Sequence, residues 1–329
     1  MNILIVCSKN SGKIAPFITE QAESLRKLGI EVEYFTIVGK GISGYLRNYK
    51  LLQQAIKNFQ PDIIHAHYGL SGLLANLQRR IPVVTTYHGS DINEPKVYPF
   101  SRLCMMLSKR NIFVFDRTTP KPRPLSPFGY FLQKEKDKGN PVFGGLKNAV
   151  IPCGVDIDLF KPMGRQEART LLGLDGDKKY ILFAGAFDNR VKNSGLAIQA
   201  VSLLNDTNIV LLELKGYSRQ QVVELMNAVD GVVMTSFTEG SPQFIKEAMA
   251  CNCPIVSVSV GDVPQVIEKV EGCFLATYEP ADVAEKIRMA LEFGQRTKGR
   301  EQLMEMQLDL ESVAERVRNV YIGAVNSKQ

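Results

Sequence analysis

No apolar run in the 329-residue chain approaches the about 18 residues that a membrane-spanning helix requires, and Lys9 stops the opening MNILIVC too early for a signal peptide. A cytoplasmic protein is expected. Cysteine is sparse and scattered: Cys7, Cys104, Cys153, Cys251, Cys253 and Cys273 sit mostly in apolar runs, with neither metal-ligand spacing nor a secreted disulfide framework. They read as reduced core residues. The chain also lacks a Walker loop, a GxGxxG turn, a Ser nucleophile elbow and any acidic cluster with metal spacing, which leaves hydrolase and metal-dependent chemistry little to rest on. No basic stretch is interleaved with aromatics, which argues against nucleic acid.

With 45% hydrophobic and 22% charged residues, the chain is long enough for two domains with separate cores. Its net charge of +6 is unevenly spread. Residues 1–150 hold 21 Lys and Arg against 10 Asp and Glu, whereas 151–329 hold 19 against 24, so the halves carry +11 and −5. A basic first half suits an anionic partner, either a membrane surface or a phosphorylated acceptor; a solvated basic face with no partner is the alternative.

One architecture starts twice. MNILIVCS reads as a buried strand, followed by the polar turn KNSGK, an amphipathic helix ITEQAESLRKLG ending at Gly29, and the strand EVEYFTIV. YILFAGAF at 180–187 opens the second series: helix SGLAIQAVSLLN, strand NIVLLEL, helix RQQVVELMNAV and strand GVVMTSF. Such alternation implies parallel sheets covered by helices, and two starts imply two doubly wound α/β domains. The boundary is expected in VIPCGVDIDLFKP, giving domains 1–155 and 156–310. A final helix at 311–326 shows one apolar stripe (Val313, Val317, Val320, Tyr321, Ala324) that suits either domain. Residues 117–147 hold five prolines between Pro120 and Pro141 and read as a surface loop.

The segment SFTEGSPQFIKEAMACNCPIVSVSVGDVP says most about function. Ser241 suits a helix N-cap and Pro242 the first helical position, and Phe244, Ile245, Ala248 and Met249 recur at helical spacing. Lying between two apolar strands, this helix is a crossover that starts at the carboxyl edge of a parallel sheet, where free N–H groups attract anions or sugar oxygens. Glu239 belongs to the turn at that edge. Glu247 lies roughly 9 Å further along the helix than Ser241. The turn GAFDNRVKN puts Arg190 and Lys192 at the same edge, where a guanidinium fork and a point charge suit a diphosphate and the charge it develops on leaving; a solvated basic loop is the plain alternative. In PDIIHAHYGLSG, His65 and His67 share a strand face, which suggests half a metal site or two strand-end histidines hydrogen-bonded to backbone or ligand. With only His88 left to add, the second reading is preferred. VVTTYHGSD places His88 and Asp91 at the carboxyl edge of the first sheet, and Gly12 lies in the first strand–helix turn, where its amide could approach a phosphate or sugar.

Together these motifs resemble the retaining glycosyltransferases of family 4 (glycosyl transferases group 1), from residue 1 to about 325 and least between 95 and 147. The resemblance implies the GT-B fold, two facing Rossmann-like domains with a cleft between them, the last helix packing back on the first domain. It implies that Glu247 binds the nucleotide ribose, and that Glu239 with the amides of Ser241, Pro242 and Gln243 meets the transferred sugar. Arg190 and Lys192 are the implied diphosphate pair, Gly12 and His88 the implied donor contacts of the first domain, and Asp91 an acceptor-side residue. The implied reaction moves a sugar from a nucleotide diphosphate donor to a hydroxyl of a lipid-linked or polysaccharide acceptor with retention, the acceptor attacking the face from which the diphosphate departs. No cofactor and no metal are implied, and the basic first domain is expected near the inner face of an anionic membrane. Two departures stand out: SGK replaces paired glycines in the first turn, and Ala186 occupies a position where arginine is frequent. A non-catalytic bilobed nucleotide-sugar-binding protein and a sugar-nucleotide epimerase are the competing readings; the intact Glu239, Glu247, Arg190 and Lys192 argue against the first, and the lack of a further acidic pair against the second.

Overall fold

The computed structural model describes residues 1–116 and 147–326, so all of the proline-rich segment but Lys147 lies outside it. The described chain divides into two compact units, one of residues 1–116, 147–154 and 310–326, the other of 155–309.

The first unit runs β1 (Asn2–Ser8), α1 (Pro16–Lys27), β2 (Glu31–Ile37), α2 (Gly41–Leu46), α3 (Tyr49–Phe59), β3 (Ile63–His67), α4 (Gly69–Asn76), β4 (Val83–Tyr87), α5 (Ser90–Asn93), α6 (Tyr98–Leu107), β5 (Arg110–Phe113) and β6 (Asn148–Val150). Its sheet has the order β2-β1-β3-β4-β5-β6, with every pair parallel. The strands read as unbroken apolar runs because both faces are covered. One face packs on α1 through Ile18, Ala22 and Leu25, the other on α3 and α4 through Leu52, Leu74 and Ala75.

The second unit runs α7 (Arg165–Leu172), β7 (Lys179–Phe183), a 3-10 turn Arg190–Lys192, α8 (Ser194–Leu203), β8 (Ile209–Glu213), α9 (Arg219–Ala228), β9 (Gly231–Met234), α10 (Gln243–Ala250), β10 (Ile255–Val258), α11 (Val263–Ile267), β11 (Cys273–Ala276), α12 (Pro280–Phe293) and α13 (Gly299–Glu305). Its parallel sheet has the order β11-β10-β9-β7-β8. The last helix, α14 (Leu310–Asn326), joins the core of the first unit beside α1, burying Val313, Ala314, Val317, Tyr321 and Ala324.

Each sheet changes winding direction once. In the first, β1 is flanked by β2 and β3; in the second, β7 is flanked by β8 and β9. The turns after β1 and β3, and those after β7 and β9, therefore leave the carboxyl edge in opposite directions. Crevices at such points are where parallel α/β sheets take ligands.

Candidate active site

In the second unit the crevice lies between the turns that follow β7 and β9, and three hydrogen bonds stitch these turns together. Phe237 N donates to Val191 O (3.0 Å), and Thr235 Oγ1 donates to the carbonyls of Lys192 (3.1 Å) and Asn193 (2.8 Å). Lys192 Nζ then reaches Glu239 Oε1 at 2.8 Å, both side chains half-buried, so the two expected site residues meet across the switch point. The Arg190 guanidinium is exposed and bonds to none of the described residues. Beside them Tyr278 stacks on Phe237, with ring centroids 6.0 Å apart, and donates to Ser236 O; burial and the Glu239 charge push its phenol up to about 12.

The start of α10 corrects one expectation. Pro242, not Ser241, is the N-cap, and the helix begins at Gln243 without a side-chain cap. The Ser241 hydroxyl is committed elsewhere: it donates to Asp262 Oδ2 at 2.6 Å and accepts from Lys246 Nζ, which also bonds Asp262 Oδ2 at 3.1 Å. A proline at the cap costs nothing because its missing N–H is one the helix leaves unused. Lys246 is fully buried, so this Ser–Lys–Asp cluster ties the first turn of α10 to the turn after β10. Gly261 makes that junction possible: at φ +59 it lies so close that a Cβ would overlap Gly240 O, while Asp262 N donates to the same carbonyl (3.0 Å).

Glu247, 5% exposed, lies one turn into α10. It is paired with Arg219, the first residue of α9, with Nη1 to Oε1 at 2.6 Å. Arg219 itself lies over the Phe160 ring, 4.6 Å from its centroid. The α9 start that presents it is fixed by a full capping box between Ser218 and Gln221. Arg219, Lys246 and Asp262 were missed in the sequence. Lys246 falls inside an otherwise regular amphipathic pattern, and Arg219 meets its partner 28 positions away.

In the first unit Gly12, exposed at φ +88, turns the chain after β1, and Asn10 ties that turn to Gly39 after β2 through two 2.8 Å bonds. His65 and His67 do share a face of β3. His65 bonds Tyr321 Oη (2.6 Å) and Thr86 Oγ1 (2.7 Å), while His67 Nδ1 meets His88 Nε2 at 3.0 Å and stacks on its ring. Burial lowers all three histidines, His65 and His88 to about 3, so the cluster is neutral at physiological pH. Among the described residues no group of three or more His, Cys, Asp or Glu is placed to hold a metal ion. Asp91 does not present its carboxylate to solvent. It is 5% exposed and accepts the backbone N–H groups of Gly69, His88 and Gly89 at 3.0–3.1 Å, so it shapes the turn that carries His88. Burial raises its carboxyl to about 6 against the opposing pull of those bonds.

Two family models match the chain: Glycosyltransferase Family 4 over residues 16–119 and Glycosyl transferases group 1 over 210–292. TuaC of Bacillus subtilis, a glycosyltransferase assigned to teichuronic acid biosynthesis, is 26% identical over 255 residues, covering 70% of this chain and 61% of its own. The D-inositol 3-phosphate glycosyltransferase of Mycolicibacterium smegmatis is 26% identical over 279 residues, covering 70% and 60%. The chain thus spans about three fifths of the length of these relatives. Among solved structures, sucrose-phosphate synthase from Thermosynechococcus elongatus aligns over 100% of both chains with a TM-score of 0.79 at 15% identity. Anabaena HepE in complex with UDP and glucose aligns over 98% of this chain and 100% of its own, with a TM-score of 0.68 at 19% identity. The two model matches fall on the two doubly wound units in chain order and the fold agrees throughout, so the chain belongs to glycosyltransferase family 4, with the GT-B fold.

Proposed function

We propose that this protein is a retaining, metal-independent glycosyltransferase that moves a sugar from a nucleotide diphosphate donor to a hydroxyl of a lipid-linked or polysaccharide acceptor. The observation that carries the reading is the Lys192–Glu239 ion pair at the switch point of the second sheet. A diphosphate entering there competes with Glu239 for Lys192 and adds the exposed Arg190 as a second cation. Glu239, released, accepts a hydroxyl of the transferred sugar. Glu247, held by Arg219, takes the ribose, and the amides at the start of α10 face the sugar oxygens.

Glu239, the carboxylate that the described residues bring to this crevice, is assigned to a sugar hydroxyl and not to attack on the anomeric carbon. The charge that develops on the leaving diphosphate meets Lys192, held beside Glu239, and the exposed Arg190, and the departing phosphate takes the proton of the acceptor hydroxyl that attacks from the same face. Gly12 and His88 are assigned to the donor from the first unit, with His88 acting as a neutral hydrogen-bonding group. Asp91 is assigned to the turn that holds His88. TuaC, tied to teichuronic acid biosynthesis, and HepE, seen with UDP and glucose, support the substrate class. The basic first unit suits a location at the inner face of an anionic membrane; among the described residues no helix is long and apolar enough to cross one.

A panel of UDP-, GDP- and ADP-sugars, read by thermal shift and by turnover with a lipid extract, tests the assignment. Turnover should persist in chelator and vanish in Lys192→Ala and Glu247→Ala without loss of fold. Donor binding without turnover would favour a non-catalytic sugar-nucleotide binder, and near wild-type rates in either variant would refute the site.

A further inference from the structure

The chain contains three histidines, and all three meet on one face of the first sheet. His67 of β3 pairs in register with Thr86 of β4, and His88 lies two positions beyond Thr86, so His65, His67 and His88 form a row. Their rings are stacked, with centroids 4.5 Å apart for His65 and His67 and 5.2 Å apart for His67 and His88. Burial keeps the row neutral. A neutral imidazole has one proton for two nitrogens, and its partners decide which nitrogen holds it.

His65 is indifferent, because Tyr321 Oη and Thr86 Oγ1 can each donate or accept. His67 is not. Its Nε2 is buried without a hydrogen-bond partner, while its Nδ1 meets His88 Nε2 at 3.0 Å. A proton on Nε2 would be a buried N–H with no acceptor, the rarer kind of orphan, whereas a proton on Nδ1 is used in the bond to His88. His67 is therefore the donor of that bond and His88 Nε2 the acceptor. With Nε2 occupied in this way, His88 carries its own proton on Nδ1, which bonds to none of the described residues. Phe17 and Tyr68 flank the His88 ring, with centroids 4.7 and 4.6 Å away, and hold it in this orientation. Tyr68 does so from φ +73, a backbone region that favours glycine, with its N–H bonded to Thr86 O at 2.9 Å.

We infer that His67 is a positioning residue that fixes His88 as the Nδ1–H tautomer and so makes it a hydrogen-bond donor to a sugar or phosphate oxygen, an inference that rests on the assignment of His88 to the sugar-nucleotide donor. A nitrogen that already bears a proton cannot take one from an acceptor hydroxyl. His88 then binds and orients but does not act as the base.

Long-range ¹H–¹⁵N correlation of the full chain labelled at its three histidines reads each tautomer directly. Wild type should show Nδ1 protonated and Nε2 bare in both His67 and His88. His67→Met offers a sulfur acceptor and no donor, so the His88 proton should move to Nε2. Turnover of the sugar nucleotide selected from the UDP-, GDP- and ADP-sugar panel, with lipid extract as the acceptor source, should then fall about tenfold, as for one lost neutral hydrogen bond. His67→Asn, whose Nδ2 takes the place of Nδ1, should keep both the tautomer and most of the rate. Thermal unfolding verifies that each variant is folded. His88 protonated on Nε2 in the wild type, or still on Nδ1 in His67→Met, would overturn the inference, and so would equal rate losses in the Met and Asn variants, which mark a packing role. A tautomer that moves without any change in rate would overturn it by detaching His88 from the substrate. Absence of turnover by wild type with every donor would instead refute the transferase reading, and the tautomers would still decide what His67 does to His88.

Discussion

Asp262→Ala should be among the most damaging single substitutions in the second unit. The Lys246 side chain is 0% exposed, and its ammonium is held by Asp262 Oδ2 at 3.1 Å and by the Ser241 hydroxyl. Removing the carboxylate leaves a buried cation with one neutral acceptor, a change that costs about 3–5 kcal/mol. Removing the cation instead is milder. Lys246→Met fills the same space, and Asp262, 10% exposed at its side chain, keeps the Ser241 hydrogen bond, so the cost should be about 1–2 kcal/mol. The double variant Lys246→Met/Asp262→Ala strands no charge and should cost less than Asp262→Ala alone. Urea denaturation of the four proteins gives the cycle. A loss below about 1 kcal/mol for Asp262→Ala, or a double variant as damaged as the sum of the singles, would show that the buried pair does not hold these turns together.

Three further outcomes follow from the geometry. Arg219→Met should abolish discrimination between UDP and 2′-deoxy-UDP in calorimetry, because Glu247 loses the partner that aims it, while pyrophosphate affinity is unchanged; retained discrimination would detach Arg219 from the ribose role. Gly261→Ala should cost about 2 kcal/mol or more and abolish transfer, since the left-handed backbone and the Gly240 carbonyl both reject a methyl; a fully active, equally stable variant would show that the turn relaxes freely. On acidification from pH 7 to 5 the unfolded chain takes up protons, near its usual histidine pKa of 6.5, that native His65 and His88 refuse until about 3, so each withdraws about 2 kcal/mol. Asp91 works oppositely, because the folded carboxyl at about 6 binds a proton before the unfolded one does, and returns about 1 kcal/mol. With His67, which burial also holds well below 6.5, adding to it, the net loss of at least about 3 kcal/mol should appear in denaturation midpoints and should shrink in His65→Gln.

The strands of both sheets were legible because each is buried on two faces and so appears as a short apolar run, as NILIVCS and GVVM do. Periodicity located α8, α9 and α14 within a few residues. What escaped was pairing between distant polar groups. Ser241 satisfies the local rule for a cap, yet Asp262, 21 positions on, and Lys246 draw its hydroxyl away. Lys246 looks like a solvent-facing interruption in FIKEAM, because nothing local says that a carboxylate waits behind it. Asp91 likewise satisfies the pattern of an exposed strand-end acid, while three backbone donors, one of them 22 residues upstream, claim both its oxygens. Arg190, Lys192 and Glu239 were read correctly onto one sheet edge because order along a parallel fold dictates which turns share an edge.

The course of the chain through the first unit bears on how it is made. The stripe of α14 that fills its core, with Tyr321 fully buried and bonded to His65, is translated after all of residues 155–309. At about 5–20 residues per second, the first unit waits roughly 10–30 s on the ribosome with one face of its sheet incompletely covered. The second unit, contiguous in sequence, has no such delay. Chains truncated after residue 309 and released should therefore be protected from protease in the later-made half and cleaved in the earlier one, reversing the usual order in which a growing polypeptide gains its structure.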